Sequence, residues 1–593
     1  MAEQTIYQML RESARRFESR RALGYKEDGA YRYLTYGDVW RRVRSFRRGL
    51  ASLGVRRGDR IALLSYNRVE WAIADLTAQS LGVVTVPIYH TLPVEQVEYL
   101  VRDSASRVLI VEDARQLVKA QELRPRVRTL EHVVVMRGPA AEDVLRFDEV
   151  LARGGPEGPM DDKLDRQAEE IAPDEVATLI YTSGTTGDPK GAMLSHRALL
   201  HTGTAAREFV RLDETDVFLS FLPLCHIVER VGGHYLPLSV GALIVYSEGP
   251  FAVAGEIADV RPTVFLCVPR LYENVQEKVM EHAARLPARR RRVFGWAMRV
   301  GREYAERRSR GATIGPALAL QRRAADQIVL EQVRRKATGG RVRFLVSGGA
   351  PLGSETALFF ESIGVTILEG YGLTECPVIA LNRPGRSRLG TVGEPLPGLE
   401  ARIADDGEIH ARGPSLMRGY FGKPEATAEA IDGEGWFNTG DIGEIGPGGF
   451  LRITDRKKDI IVLANGKNVA PQPIEARLKR SPYIQEAVLI GDRQSVMVAI
   501  VVPAFDRLRH WAAELGVEAA SAEALAAHPD VKRLIKAEID RCSEGLADFE
   551  RVRRFALVDH AFTIDGGELT PTLKVRRREV ARLYAPLIEQ LVR

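Results

Sequence analysis

Between about Thr35 and Pro262, short β-branched runs alternate with segments of helical period. The runs are 60–66 (RIALLSY), 82–89 (GVVTVPIY), 107–113 (RVLIVED) and 132–136 (HVVVM), and 36–54 (YGDVWRRVRSFRRGLASLG) has the helical spacing. Strands separated by helices form βα units and a largely parallel sheet, so this alternation predicts an α/β fold. Four further apolar runs, 176–183, 263–269, 342–352 and 364–375, each end in Gly, Ser, Pro or a polar turn, as a strand feeding a loop does. Ligands of open α/β sheets collect at these carboxyl ends.

The 593 residues supply a large buried core, and 45% hydrophobic with 27% charged residues describes a globular chain, not a disordered or fibrous one. Four scattered cysteines (Cys225, Cys267, Cys376, Cys542) lack CxxC spacing. This argues against a disulfide framework or zinc site and suits a reducing compartment, with the cytoplasm as default. The N-terminus has mixed charges and no apolar h-region, so it does not read as a secretory signal. No run approaches the ~20 apolar residues of a membrane span. Peripheral contact with the inner face of a membrane stays open.

Residues 273–338 read as a long helical, Arg-dense insertion, with ten arginines between 285 and 310. They form either a solvated helical face or a patch for an anionic surface. No nucleic-acid-binding signature accompanies them, so nucleic acid is not an expected partner. After the charged turn Asp455-Arg-Lys-Lys-Asp459 the spacing shortens to a small α+β pattern. The expected organisation is a large N-terminal domain over 1–455 of mixed, largely parallel sheets layered with helices, a hinge at 456–459, and a small mobile α+β domain over 460–593.

Tyr181-Thr-Ser-Gly-Thr-Thr-Gly-Asp-Pro-Lys190-Gly191 follows the run 176–180. Glycines let backbone N–H groups converge, hydroxyls donate to phosphate oxygens and a lysine adds a point charge: a polyphosphate cradle, or else a surface turn. It is not a Walker A loop, because Pro189 precedes the lysine and Gly191 stands where Ser or Thr is needed. In order along the chain come Gly370-Tyr-Gly-Leu-Thr-Glu375, Gly407-Glu-Ile-His-Ala-Arg-Gly413 with Met417-Arg-Gly-Tyr420, Trp436-Phe-Asn-Thr-Gly-Asp441, Asp455–Asp459, and Thr570-Pro-Thr-Leu-Lys574.

This ordered set resembles the adenylate-forming superfamily of acyl-CoA synthetases, luciferases and peptide-synthetase adenylation domains. With 223–230 (PLCHIVER) and the insertion beginning at Val268, it is most similar to the bacterial long-chain fatty acyl-CoA synthetases. The resemblance implies an AMP-forming ligase that uses ATP and Mg²⁺ to make an acyl-adenylate, then passes the acyl group to CoA. It implies that Lys574 bridges carboxylate and α-phosphate, that Glu375 and Thr185 hold Mg²⁺, and that Thr374 donates to the α-phosphate. Thr182, Ser183, Gly184, Thr185, Thr186, Gly187 and Lys190 would bind the phosphates, Tyr371 would stack on adenine with room left by Gly370 and Gly372, and Asp441 with Arg456 would hold the ribose. Lys458 would absorb the hinge rotation that removes Lys574 and brings in Gly466 for thioester formation. His226 would gate the acyl site or equally sit as a core residue, and Gly348, Gly349, Ala350 and Pro351 would border the acyl pocket. Cys376 stands where the family has Ser or Thr, with no base evident to make it a nucleophile.

Three alternatives stay open: delivery to a carrier protein, another hydrophobic carboxylate as substrate, and a silent lipid-binding relative. A homodimer is also open. Lysine supplies only 14 of the 84 basic residues, and five of the 14 (Lys190, Lys457, Lys458, Lys467, Lys574) fall in three motif segments.

Overall fold

A computed structural model describes residues 4–592 except 140, 183–187, 250–251, 465–466, 495, 515–520, 564–565 and 571–574. Its contacts define two compact units. The first comprises 1–402, 410–438 and 445–451, and the second comprises 403–409, 439–444 and 452–593.

The first unit is built on two sheets. In the seven-stranded sheet the spatial order is Val144–Arg146, His132–Val135, Val108–Val111, Arg60–Leu64, Val84–Ile88, Val176–Thr182 and Lys190–Ser195. All neighbours are parallel except the last pair, which is antiparallel with Thr182 opposite Lys190. Every residue of Val108–Val111 is buried, as expected of a parallel strand covered on both faces. In the nine-stranded sheet Ile367–Tyr371, Phe344–Ser347, Val264–Cys267, Val217–Ser220, Leu243–Tyr246 and Arg21–Glu27 run parallel in that order. Short antiparallel strands close both edges. One edge strand is Ala30–Thr35, the second strand of the hairpin Arg21–Glu27/Ala30–Thr35, which lies upstream of the stretch where βα alternation was expected.

The helix Tyr36–Ser52 shows how local sequence sets these elements. Thr35 and Asp38 form a reciprocal capping box, with Asp38 N–H donating to Thr35 Oγ1 at 3.1 Å and Thr35 N–H donating to Asp38 Oδ2 at 2.9 Å. Val39, Val43, Phe46 and Leu50 recur at helical spacing and are buried. At Gly49 a Cβ would lie 2.0 Å from the Val150 carbonyl oxygen, so only glycine lets the helix approach this closely.

The expected helical insertion consists of Pro269–Ala284, Ala288–Ser309, Pro316–Ala325 and Glu331–Thr338, the last two joined by a π-helical turn. Its apolar face enters the core of the nine-stranded sheet through Tyr272, Ala297, Val300, Leu318, Ala325 and Leu330.

In the second unit Met497–Pro503 is the central strand of a three-stranded sheet, antiparallel to Ile484–Ile490 and parallel to Val552–Leu557. Its alternation divides two cores: Met497, Ala499 and Val501 join one cluster, while Val498, Ile500 and Val502 join another. Val552–Leu557 is not apparent as a strand in the sequence, because the consecutive, exposed Arg553 and Arg554 interrupt its apolar run. A further correction concerns Asp455–Asp459. Asp455 and Arg456 end the strand Leu451–Arg456, and Asp455 is buried, accepting the Arg456 and Gln472 N–H groups at 2.6 and 3.3 Å. Burial pushes its carboxyl up to about 6. Only 457–459 form the turn.

Inside the first unit a fully buried ionic cluster spans three elements. Arg230, on the π-helical segment Glu229–Tyr235, pairs with Asp75 of the helix Val69–Leu81. It donates to Thr178 Oγ1 at 2.7 Å and to the Tyr235 hydroxyl at 3.0 Å, while that hydroxyl donates to Asp75 at 2.6 Å. Removing one member of such a pair strands the other charge. Arg230→Met should therefore lower stability by ~3–5 kcal/mol, and Arg230→Met with Asp75→Asn should recover part of it, read from urea unfolding of both variants.

Candidate active site

The strand Val176–Thr182 delivers the chain to the candidate phosphate loop, and Lys190–Ser195 receives it. Ser183, Gly184, Thr185, Thr186 and Gly187 lie outside the described residues, as do Gly466 and Lys574. Thr182 hydroxyl reaches the Lys190 carbonyl at 3.5 Å. Gly191 also packs closely: a Cβ there would lie 3.1 Å from the Tyr181 ring, whose hydroxyl donates to Asp103 at 2.6 Å.

Beside Lys190–Ser195 runs the segment 418–421. Arg418 N–H donates to Met193 O and Met193 N–H to Gly419 O, both at 2.9 Å, and Phe421 N–H donates to Gly191 O at 2.8 Å. This ladder places the Tyr420 hydroxyl 2.8 Å from Glu375 Oε1 and the Tyr420 ring centroid 5.3 Å from the Lys190 ammonium. Met417 N–H donates to the Glu375 carbonyl at 2.7 Å. Segments around 190, 375 and 420, distant in sequence, thereby form one cluster. Burial, then the charge of Glu375, raises the Tyr420 hydroxyl above its ordinary value, so it stays a donor to the carboxylate. Sequence reading quoted Tyr420 in a motif but gave it no role. Its role arises from a fold contact that the sequence does not display.

Tyr371 ends the strand Ile367–Tyr371 and is buried. At Gly372 a Cβ would lie 2.1 Å from the Pro377 carbonyl oxygen, so only glycine permits the tight return of the chain here. Thr374 is half-buried and Glu375 is buried. Cys376 is buried, and burial followed by the Glu375 charge pushes its thiol up to about 12, consistent with an unreactive side chain.

Gly348, Gly349, Ala350 and Pro351 follow the neighbouring strand Phe344–Ser347, and the Gly370 carbonyl oxygen lies 3.7 Å from where a Gly348 Cβ would stand. Gly349 adopts φ +84°, a left-handed conformation that favours glycine. The two loops therefore share one end of the sheet. Glu369, which sequence reading passed over, pairs in register with Ser347 there, and burial pushes its carboxyl up to about 7. A carboxylate closing the apolar run 365–368 was the available signal.

His226 sits past the carboxyl end of Val217–Ser220 and is half-buried, with Nδ1 accepting the Val228 N–H at 3.3 Å. It is not sealed in the core. Glu229, three residues on, is buried; its carboxylate accepts the Ser220 hydroxyl at 2.6 Å, and burial pushes it up to about 8.

In the second unit Asp441 is buried, and Arg456 Nε lies 3.2 Å from its Oδ1. Gly440 adopts φ +73° and donates its N–H to Glu408 Oε1 at 2.8 Å. Lys457 Nζ reaches Asp406 and Glu408 at 2.6 Å each, and these hydrogen bonds raise its pKa. Lys458 is exposed on the adjoining turn.

Among the described residues no group of three or more His, Cys, Asp or Glu could cage a metal. A single buried carboxylate, Glu375, held by a tyrosine hydroxyl, is the donor type that a hard cation shares with substrate phosphates.

The fold and this arrangement define an AMP-binding enzyme. The chain belongs to that family: residues 10–421 match the AMP-binding enzyme domain and residues 458–593 match the AMP-binding enzyme C-terminal domain. It is 37% identical over 573 residues to the long-chain-fatty-acid–CoA ligase FadD15 of Mycobacterium bovis, covering 95% of this chain and 93% of that one. Peroxisomal long chain acyl-CoA synthetase 6 of Arabidopsis thaliana is 31% identical, covering 95% and 82%. Among solved structures, the anthranilate CoA ligase AuaEII in complex with anthranoyl-AMP has a TM-score of 0.75 at 23% identity, covering 100% of this chain and 99% of that one, and shares the fold.

Tyr420→Phe removes one hydrogen bond to a carboxylate, an interaction of ~1.5–3 kcal/mol. Mg-ATP affinity, measured by calorimetry, should fall about tenfold or more while the melting temperature stays within a few degrees. Glu229 is protonated in the fold up to about pH 8 but ionises near 4.5 when unfolded, so its burial costs stability increasingly as pH rises between those values. Glu229→Gln should flatten that loss, with wild type and variant urea midpoints converging at pH 5 and separating by pH 9.

Proposed function

We infer that the chain is a long-chain fatty acid–CoA ligase, forming acyl-adenylate and pyrophosphate from a fatty acid and ATP, then acyl-CoA and AMP. The observation that carries this reading is the near full-length likeness to a long-chain-fatty-acid–CoA ligase, running through both family regions.

In the first step a carboxylate oxygen attacks the α-phosphorus and the bond to the pyrophosphate oxygen breaks. Negative charge grows on the α-phosphate and the leaving group, so cations and donors must already stand there. We assign Lys574 to the carboxylate and α-phosphate, Thr374 to the α-phosphate, and Lys190 with Thr182, Ser183, Gly184, Thr185, Thr186 and Gly187 to the β- and γ-phosphates. Glu375 and Thr185 would hold Mg²⁺, which supplies positive charge to the phosphates when bound. Tyr420 supports this role of Glu375 by fixing its carboxylate. Tyr371 would stack on adenine. The buried Asp441, oriented by Arg456, suits a hydroxyl pair of the ribose, because a desolvated carboxylate accepts strong hydrogen bonds.

In the second step the CoA sulfur attacks the acyl carbonyl, the bond to the adenylate oxygen breaks and AMP leaves. Lys574 has no part in it. We assign 456–459 as a hinge between the two steps, with Lys458 taking the rotation and Gly466 entering the thioester site. The tie of Lys457 to Asp406 and Glu408 would hold one side of that hinge. His226 and Gly348–Pro351 would border the acyl group. A cytoplasmic location, with the protein resting on the inner face of a membrane, fits a substrate that partitions into lipid; no helix among the described residues is long and apolar enough to cross one. A homodimer is compatible with this scheme.

Dodecanoate to octadecanoate with Mg-ATP should release pyrophosphate, and acyl-CoA should form only when CoA is added. AMP and pyrophosphate accumulating with CoA present but no thioester would sink the CoA assignment and favour a carrier protein. Lys574→Ala should slow adenylation at least about 100-fold yet spare thioester formation from supplied acyl-adenylate; equal loss of both half-reactions would refute the hinge assignment.

A further inference from the structure

The helix Ala288–Ser309 begins against the usual electrostatics. Its first turns carry Arg289, Arg290, Arg291 and Arg292, no acidic residue lies in the first turn, and Pro287 offers no side-chain cap. Helix N-termini favour anions, so four adjacent cations there weaken the helix on its own. A merely solvated face would be more stable with the charges spread along the helix.

Four consecutive helical residues sweep about 300° around the axis. All four arginines are nonetheless exposed, Arg291 while donating to the Ala284 carbonyl at 3.4 Å, so none of the four is sealed against the body. Burial starts only at Phe294 and then follows Ala297, Val300, Gly301 and Ala305. The arginines further along behave differently: Arg302 pairs with Glu306 and Glu355, and Arg307 with Glu303. Between Lys278 and Val293 there are six cationic side chains and a single carboxylate, Glu281. Large apolar side chains are exposed on the two helices flanking this turn, Met280 at 45% and Val293 at 40%.

We propose that this corner, where Pro269–Ala284 turns into Ala288–Ser309, docks on the surface of an anionic lipid bilayer. The arginines would meet the headgroup phosphates and Met280 and Val293 would enter the acyl boundary. Charge complementarity selects the anionic surface, and the exposed apolar side chains that bracket the arginines in sequence favour a bilayer over a soluble polyanion, which has no apolar layer to receive them. Guanidinium groups suit the role because they bind phosphate bidentately and shed water more readily than an ammonium does.

The experiment is cosedimentation of the full chain with vesicles of phosphatidylcholine alone or with phosphatidylglycerol, without fatty acid, nucleotide or CoA, so that its outcome is independent of the ligase reading. Wild type should bind the anionic vesicles at least about tenfold more than the neutral ones and lose that binding as salt is raised. R289Q/R290Q/R291Q/R292Q should reduce anionic binding about tenfold or more with a melting temperature that does not fall. M280S/V293S should weaken binding while keeping its salt dependence. Equal binding of wild type to both vesicles, unchanged binding by the folded Gln variant, or binding of heparin but of no vesicle would each overturn the proposal.

Discussion

The buried pair of Arg230 and Asp75 is the constraint on which the large unit turns. Arg230 lies on the chain that leaves the nine-stranded sheet after Val217–Ser220, yet its guanidinium reaches Thr178, on the strand that leads to the candidate phosphate loop. Two sheets that could otherwise slide on apolar contacts are thereby registered by directional bonds. A guanidinium does this where an ammonium could not, because its fixed fork contacts Asp75, Thr178 and Tyr235 at once. His226, four residues before Arg230, is placed by the same anchor.

From that registration the site is assembled by main chain as much as by side chains. The segment 418–421 lies along Lys190–Ser195 through three backbone hydrogen bonds, and Met417 N–H holds the Glu375 carbonyl. Tyr420 then joins the carboxylate and the lysine of two remote motifs.

Much of this was legible in the sequence where burial acts on both faces of a strand, because Val108–Val111 and Phe344–Ser347 then read as apolar runs. The hairpin Arg21–Glu27/Ala30–Thr35 was not: at the edge of its sheet, only part of its second strand is buried. Val552–Leu557 was hidden by Arg553 and Arg554, whose solvent exposure is a tertiary fact. The glycines were legible as important but not as to why. Gly372 yields to the Pro377 carbonyl and Gly191 to the Tyr181 ring, neighbours that only the fold reveals. Asp441 and Arg456 were named together for the ribose, but their motifs do not display the ion pair that the two side chains form with each other.

The ladder between 418–421 and Lys190–Ser195 also bears on how such a site persists through divergence. Hydrogen bonds between peptide groups read no side-chain identity, so most substitutions along these segments leave the spacing of Glu375 and Lys190 intact. Drift is resisted chiefly where side chains finish the geometry, at Tyr420, and where a neighbour forbids any side chain at all, at Gly372. A chain built this way can exchange most of its residues with distant relatives and still present the same few charges at the same separations.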